Sequence, residues 1–138
     1  MKHAYLLPAL LLSMAAIAAP PKTKLLDYST HTLIDEDAAK AVMNAHIPAK
    51  VWKLYPANKW AFVSQVSGGL TPTAVCVVTA RVMLLPLTPT MKVVMLRPEK
   101  TATAYDAQIG SSADACKALA KDKLKDATEA VVSSLVKT

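Results

Sequence analysis

Hydrophobic and polar positions follow two different periods along this chain, and the longest regular stretch comes last. Ala113, Cys116, Ala120, Leu124, Ala127, Val131 and Leu135 recur at helical spacing, which predicts one helix from about Ser112 to Val136 with a single apolar stripe. Ser111, with Asp114 three residues on, makes a capping-box-like start after Gly110. Upstream the period falls to two. From Thr73 to Leu85 the even positions Ala74, Cys76, Val78, Ala80, Val82 and Leu84 are all apolar, whereas the odd ones include Thr79 and Arg81. That pattern predicts a strand with one face on the core.

Lys59 to Val66 reads as a strand too, with Trp60, Phe62, Ser64 and Val66 on one side and Ala61, Val63 and Gln65 on the other. Ser67-Gly68-Gly69, extended by Thr71-Pro72, reads as the turn between these strands. After a loop over Pro86 to Thr90, Met91 to Arg97 reads as the next strand, continued beyond Pro98 by Lys100 to Tyr105. Strands joined by short loops pair antiparallel, so a meander of three to four strands is expected.

Before the strands, Asp35, Glu36 and Asp37 load carboxylates onto the first turn of a shorter helix. Asp35, alone or with Thr32, is placed to cap it. Ala38, Ala41, Val42 and Ala45 give the helix a narrow small-residue face, and Pro48 ends it near Ile47. Lys24 to Ile34 has room for a short strand, and residues 49 to 58 read as a connection. The expected fold is a two-layer α+β domain over residues 35–138, following an extended segment at 19–34. In it the antiparallel meander carries an N-terminal helix and a long C-terminal helix on one side.

Residues 1–18 fit neither period. Lys2 and His3 precede an apolar run through Leu6, Leu10, Leu12, Met14 and Ile17, which closes on Ala16-Ile17-Ala18. That is the build of a secretory signal peptide, with cleavage expected after Ala18. A cut after Ala19 would leave bulky Ile17 where a small residue is wanted and Pro20 just beyond the bond. The run is shorter than the roughly 20 residues of a spanning helix. No cysteine lies near the cut, which argues against a lipoprotein. Pro86, Pro89, Lys92 and Arg97 interrupt the later apolar region, so no membrane span is expected after cleavage, and the location expected is periplasmic or secreted.

Composition narrows this further. With 138 residues, 53% hydrophobic and only three glycines, the chain has enough apolar surface for one real core and too little glycine for phosphate-cradling loops. Export also changes how its two cysteines read. An even count in an oxidising compartment favours a disulfide between Cys76 and Cys116. There is no C-x-x-C motif, and Cys76 lies in the apolar run Ala74-Val75-Cys76-Val77-Val78, which disfavours a reactive thiolate. One cysteine falls on the helix stripe and the other on the apolar strand face, so both point to one interior.

Candidate chemistry is sparse. No catalytic residue is assigned: no G-x-S-x-G surrounds a serine, and His31 and His46 read as surface or capping residues. His31, Asp35 and Asp37 match no standard metal spacing, so neither metal nor cofactor is expected. Most acids fall on helix starts and on the polar face of the last helix, not in a converging pair. What stands out is the formal net charge of +6, to which Lys2 of the leader contributes one. Lys117, Lys121 and Lys125 line one helical stripe, while Lys50, Lys53 and Lys59 surround Trp52, Tyr55 and Trp60. Trp52, Lys53, Tyr55, Lys59 and Trp60 therefore form a candidate binding surface for a protein or an anionic partner. Nucleic acid is not expected for an exported chain without a recognition motif.

Leu54-Tyr55-Pro56-Ala57, the run from Trp60 to Gly69, Cys76-Val77-Val78-Thr79-Ala80-Arg81, the run from Pro98 to Ala104, and Cys116-Lys117-Ala118-Leu119-Ala120 resemble segments of uncharacterised small exported proteins of Gram-negative bacteria. The resemblance spans most of the mature chain and implies export but no activity, so it assigns no functional residue. Three readings follow: a non-catalytic interaction module of the envelope or exterior, a small hydrolase using His31 or His46 in a pocket, and a binder of anionic envelope material.

Overall fold

A computed structural model describes residues 22–94 and 96–136. The signal peptide expected at 1–18, with the expected cleavage residues Ala16, Ala18 and Ala19, lies outside the described residues. The elements run β1 (Leu25–Asp27), α1 (Glu36–His46), α2 (Ala49–Leu54), β2 (Trp60–Leu70), β3 (Val75–Pro86), β4 (Lys100–Ile109) and α3 (Ala113–Leu135). One four-stranded sheet has the order β1-β2-β3-β4, and α1 and α3 share its core face. The architecture is α+β, with the short and long helices where the hydrophobic pattern puts them.

The helices begin on the chemistry expected of them. Asp35 accepts a hydrogen bond from the Ala38 amide at 2.8 Å and caps α1. Lys40 pairs with Glu36 one turn below and holds its carboxyl below the ordinary carboxylate range. For α3 the cap is Ser112, accepting from the Ala115 amide at 3.1 Å, and not Ser111. The helix stripe is buried at Cys116, Leu119, Ala120, Leu124, Ala127 and Val131. Facing it are Cys76, Val78, Ala80, Val82 and Leu84 of β3, each fully buried. Cys76 and Cys116 are joined by a disulfide, their Cα atoms 5.5 Å apart.

In the helical layer, α2 forms within the connection expected at 49 to 58, and α1 buries Ala39 and Met43 and leaves Ala41 and Ala45 of its expected face exposed. Three expectations about the strands also change. First, the sheet is mixed: β1 pairs parallel to β2, with Leu25 opposite Phe62 and Asp27 opposite Ser64. Two helices separate β1 from β2, and a connection of that length lets the chain return in the same direction. β2, β3 and β4 do form the antiparallel meander. Second, the described residues of Met91 to Arg97 form no strand. β4 takes the flank of β3 that this segment was expected to fill, with β2 on the other. The segment folds instead as a loop, anchored by the Val94 amide on the Pro86 carbonyl at 2.9 Å and by a Leu87–Val93 bridge. Val93 thereby covers a second small cluster of Val63, Met83 and Leu85 on the opposite sheet face. Third, Gly68 and Gly69 lie within β2 and not in a turn. The turn follows at Thr71 to Ala74, closed by the Ala74 amide on the Thr71 carbonyl at 3.0 Å.

A half-buried polar chain fastens β1. Asp27 accepts from Ser29 Oγ and from Ser64 Oγ, both at 2.5 Å, and Ser29 Oγ accepts from the Val66 amide at 2.9 Å. Ser64 is fully buried, and its hydroxyl donates to the carboxylate, with the Leu26 carbonyl a longer second acceptor at 3.4 Å. Asp27→Ala is expected to cost about 2 kcal/mol, because Ser64 loses its short bond to a charged acceptor and keeps only the long one to the Leu26 carbonyl. Adding Ser64→Ala is expected to recover about half of that. A denaturant double-mutant cycle checks the coupling, and additive losses would show that the two groups act independently.

Candidate functional site

The residues singled out around Trp52 divide into two groups. α2, a single helical step between Pro48 and Pro56, turns Trp52 inward so that its ring meets Phe62 edge-on at 5.3 Å and 72°. Tyr55 ends α2 and meets Trp60 edge-on at 5.4 Å and 87°. Tyr55 and Trp60 are both packed against the core cluster, where they buttress the helix from behind. Lys59 is exposed, and its main-chain carbonyl accepts from the Leu87 amide at 2.8 Å. Neither Tyr55, Trp60 nor Lys59 lines the concave surface beside α2.

Trp52 and Lys53 do line it. A groove of 580 Å³ runs between the end of α1, the outer side of α2 and the start of the described chain. Ile47, Trp52, Pro56 and Ala57 give it an apolar lining, and Lys22 and Lys53 supply its charge. No carboxylate lines it, and neither lysine has a salt-bridge partner among the described residues. The volume falls within the about 300–1,000 Å³ of small-molecule sites. The sequence signal at Trp52 and Lys53 is local. Lys22 and Ile47 come to the same groove only through the fold, and no spacing rule would have linked them.

A second, larger groove of 810 Å³ lies where α1 and α3 end side by side, lined by His46, Lys50, Glu129 and Ser133 among others. His46 Nδ1 lies 3.0 Å from Glu129 Oε1, an orientation that leaves Nε2 as the free ring nitrogen. Ser133 Oγ donates to the Ala130 carbonyl at 2.9 Å, so that bond, and no histidine, engages the hydroxyl. The groove thus holds an oriented imidazole without an activated nucleophile.

The stripe Lys117, Lys121 and Lys125 lies along α3 with Lys117 and Lys121 exposed. Acids interrupt its field. Lys125 lies 3.9 Å from Glu129, and the neighbouring Lys123 is held above the ordinary lysine range by Asp126 and Asp122. Lys117 borders a third cavity, of 310 Å³, beside Cys116 and Leu70. The stripe and the α2 groove line no common cavity. Among the described residues no group of three His, Cys, Asp or Glu side chains is placed to hold a metal ion, and no helix is long and apolar enough to cross a membrane.

Comparison with known proteins finds likeness among solved structures alone. No family model matches the chain, and no curated protein does. Among solved structures it is similar to the PelC dodecamer from Paraburkholderia phytofirmans, at 10% identity and a TM-score of 0.44, covering 81% of this chain and 92% of that one. A variant of the same dodecamer gives 11% identity and a TM-score of 0.46, covering 83% and 92%. The chain is also similar to protein XCC0632 from Xanthomonas campestris, of the family DUF330, at 11% identity and a TM-score of 0.43, covering 85% of this chain and 87% of that one.

Proposed function

We propose that this chain is an exported, non-catalytic binding module, and that the groove beside α2 is its binding surface. One observation carries this reading: an apolar groove flanked by two lysines that no acid neutralises. Buried apolar lining with a few placed charges is how small-molecule and peptide sites obtain both affinity and orientation. The leader sequence and the disulfide both suit an oxidising compartment outside the cytosol.

The anionic dye anilinonaphthalene sulfonate tests it. The folded protein is expected to enhance the dye's fluorescence, and Ala49→Trp, on an exposed lining position, is expected to abolish the enhancement without moving the thermal midpoint. Enhancement that persists in Ala49→Trp would place the dye elsewhere and remove the groove from consideration.

The hydrolase reading draws on the His46–Glu129 pair. It requires turnover of simple nitrophenyl esters that His46→Ala removes. The expected result is hydrolysis at the buffer rate by both proteins.

A further inference from the structure

We infer that the α2 groove takes the anion of a single-chain fatty acid, its methylenes along Ile47, Trp52, Pro56 and Ala57 and its carboxylate between Lys22 and Lys53. This rests on the groove being the binding surface and goes further, to the class of ligand. The lining divides by chemistry. Its apolar residues offer a hydrocarbon chain surface to leave water against, whereas a polar ligand body would find few partners there. Its two cations are lysines, compact point charges on flexible stems, which reach a small anionic head and keep their ammonium groups in water. Charge complementarity selects an anion over a neutral or cationic amphiphile, because Lys22 and Lys53 meet no acid in the groove. The volume of 580 Å³ accommodates one acyl chain.

Trp52 ties the groove to Phe62 of the sheet, but Lys22, Ala49 and Lys53 are exposed, so these three can be altered without touching the core. Ala49 is exposed at the first position of α2 and lines the groove. Ala49→Glu places a carboxylate there and suits a helix start, where acidic side chains are tolerated best.

Calorimetric titration of the purified protein with octanoate, decanoate, dodecanoate and tetradecanoate, each below its micellar concentration, tests the assignment. Affinity is expected to rise about fourfold per methylene buried, until the chain outgrows the groove. The alcohol of matching chain length is expected to bind about tenfold more weakly than its carboxylate, and Lys22→Gln/Lys53→Gln is expected to lose the same factor. Ala49→Glu is expected to abolish carboxylate binding with an unchanged thermal midpoint. Equal affinity for alcohol and carboxylate, or no dependence on chain length, would overturn the assignment. Stronger binding to phosphatidylglycerol vesicles than to any free fatty acid would give the surface to a membrane. A ligand-free dimer that Ala49→Glu dissociates would give the groove to a second copy. Each of these two results also overturns the assignment. Dye binding that Ala49→Trp removes, combined with no fatty-acid binding, overturns the ligand class and leaves the binding surface standing. Loss of both overturns the two together.

Discussion

Replacing both cysteines, as Cys76→Ala/Cys116→Ala, is expected to lower stability by about 4 kcal/mol and the thermal midpoint by about 15 °C. The bridge closes a loop over a sequence separation of 40. That loop contains β3, β4 and the turn into α3, so the crosslink withholds a long excursion from the unfolded chain. Domains of this size have about 5–15 kcal/mol of net stability, so the loss is a large share of the whole. It does not abolish the fold, because α3 is docked by far more than its first turn. Leu124, Ala127 and Val131 are almost fully buried beyond Cys116 and keep the helix on the sheet. Native-state alkylation gives the complementary measurement. Both sulfurs are buried and bonded, so neither should react with a thiol reagent until the protein is unfolded and reduced. Free thiols in native protein, or a melting point indifferent to the double substitution, would contradict the crosslink and with it the strongest structural sign of export.

That crosslink was readable in the sequence because two independent periodicities carried it. Cys116 falls on a helical stripe that holds its phase over six turns, and Cys76 falls on a strand face where every alternate residue is apolar. Long regular patterns survive the averaging over tertiary context that defeats short ones. β1 is three residues long, too short for a period, and its direction depends on helices that intervene before its partner. Met91 to Arg97 has strand-like residues, but pairing is a property of the sheet, and the sheet has no vacant flank beside β3. The candidate site was half legible for a related reason. Trp52 and Lys53 are neighbours in sequence, so their juxtaposition of aromatic and cation was visible. Tyr55 and Trp60 looked equivalent, and all three aromatic residues pack against the core, but only Trp52 also lines the groove. Lys22 and Ile47 join the groove from separate segments, a contact that no local window contains.

The glycine pair in β2 shows how a correct local signal can receive the wrong interpretation, and it leads to the second large effect. Gly68→Ala is expected to cost about 3–5 kcal/mol, whereas Gly69→Ala next to it is expected to cost about 1 kcal/mol. Gly-Gly usually marks a turn because glycine reaches conformations closed to other residues. Here that freedom is used inside a strand. Gly68 has φ of +120° while it sits opposite Val78 in the ladder. A β-carbon at that position would lie 2.0 Å from the Val77 carbonyl oxygen and 2.9 Å from its carbon. Both are main-chain atoms of the central strand, so no rotamer change relieves the clash. Relief requires β2 to draw away from β3 just where β3 presents Cys76 and Val78 to α3. At Gly69 a β-carbon meets nothing within 4 Å, so only the backbone conformation, φ of +155°, resists substitution. The two variants therefore separate steric contact from backbone preference at adjacent positions. Urea denaturation measures both. With a slope of about 2 kcal/mol per molar, Gly68→Ala should bring the midpoint down by about 2 M and Gly69→Ala by about 0.5 M. Equal shifts for the two would mean that β2 and β3 do not approach this closely, and that the glycines serve a turn after all.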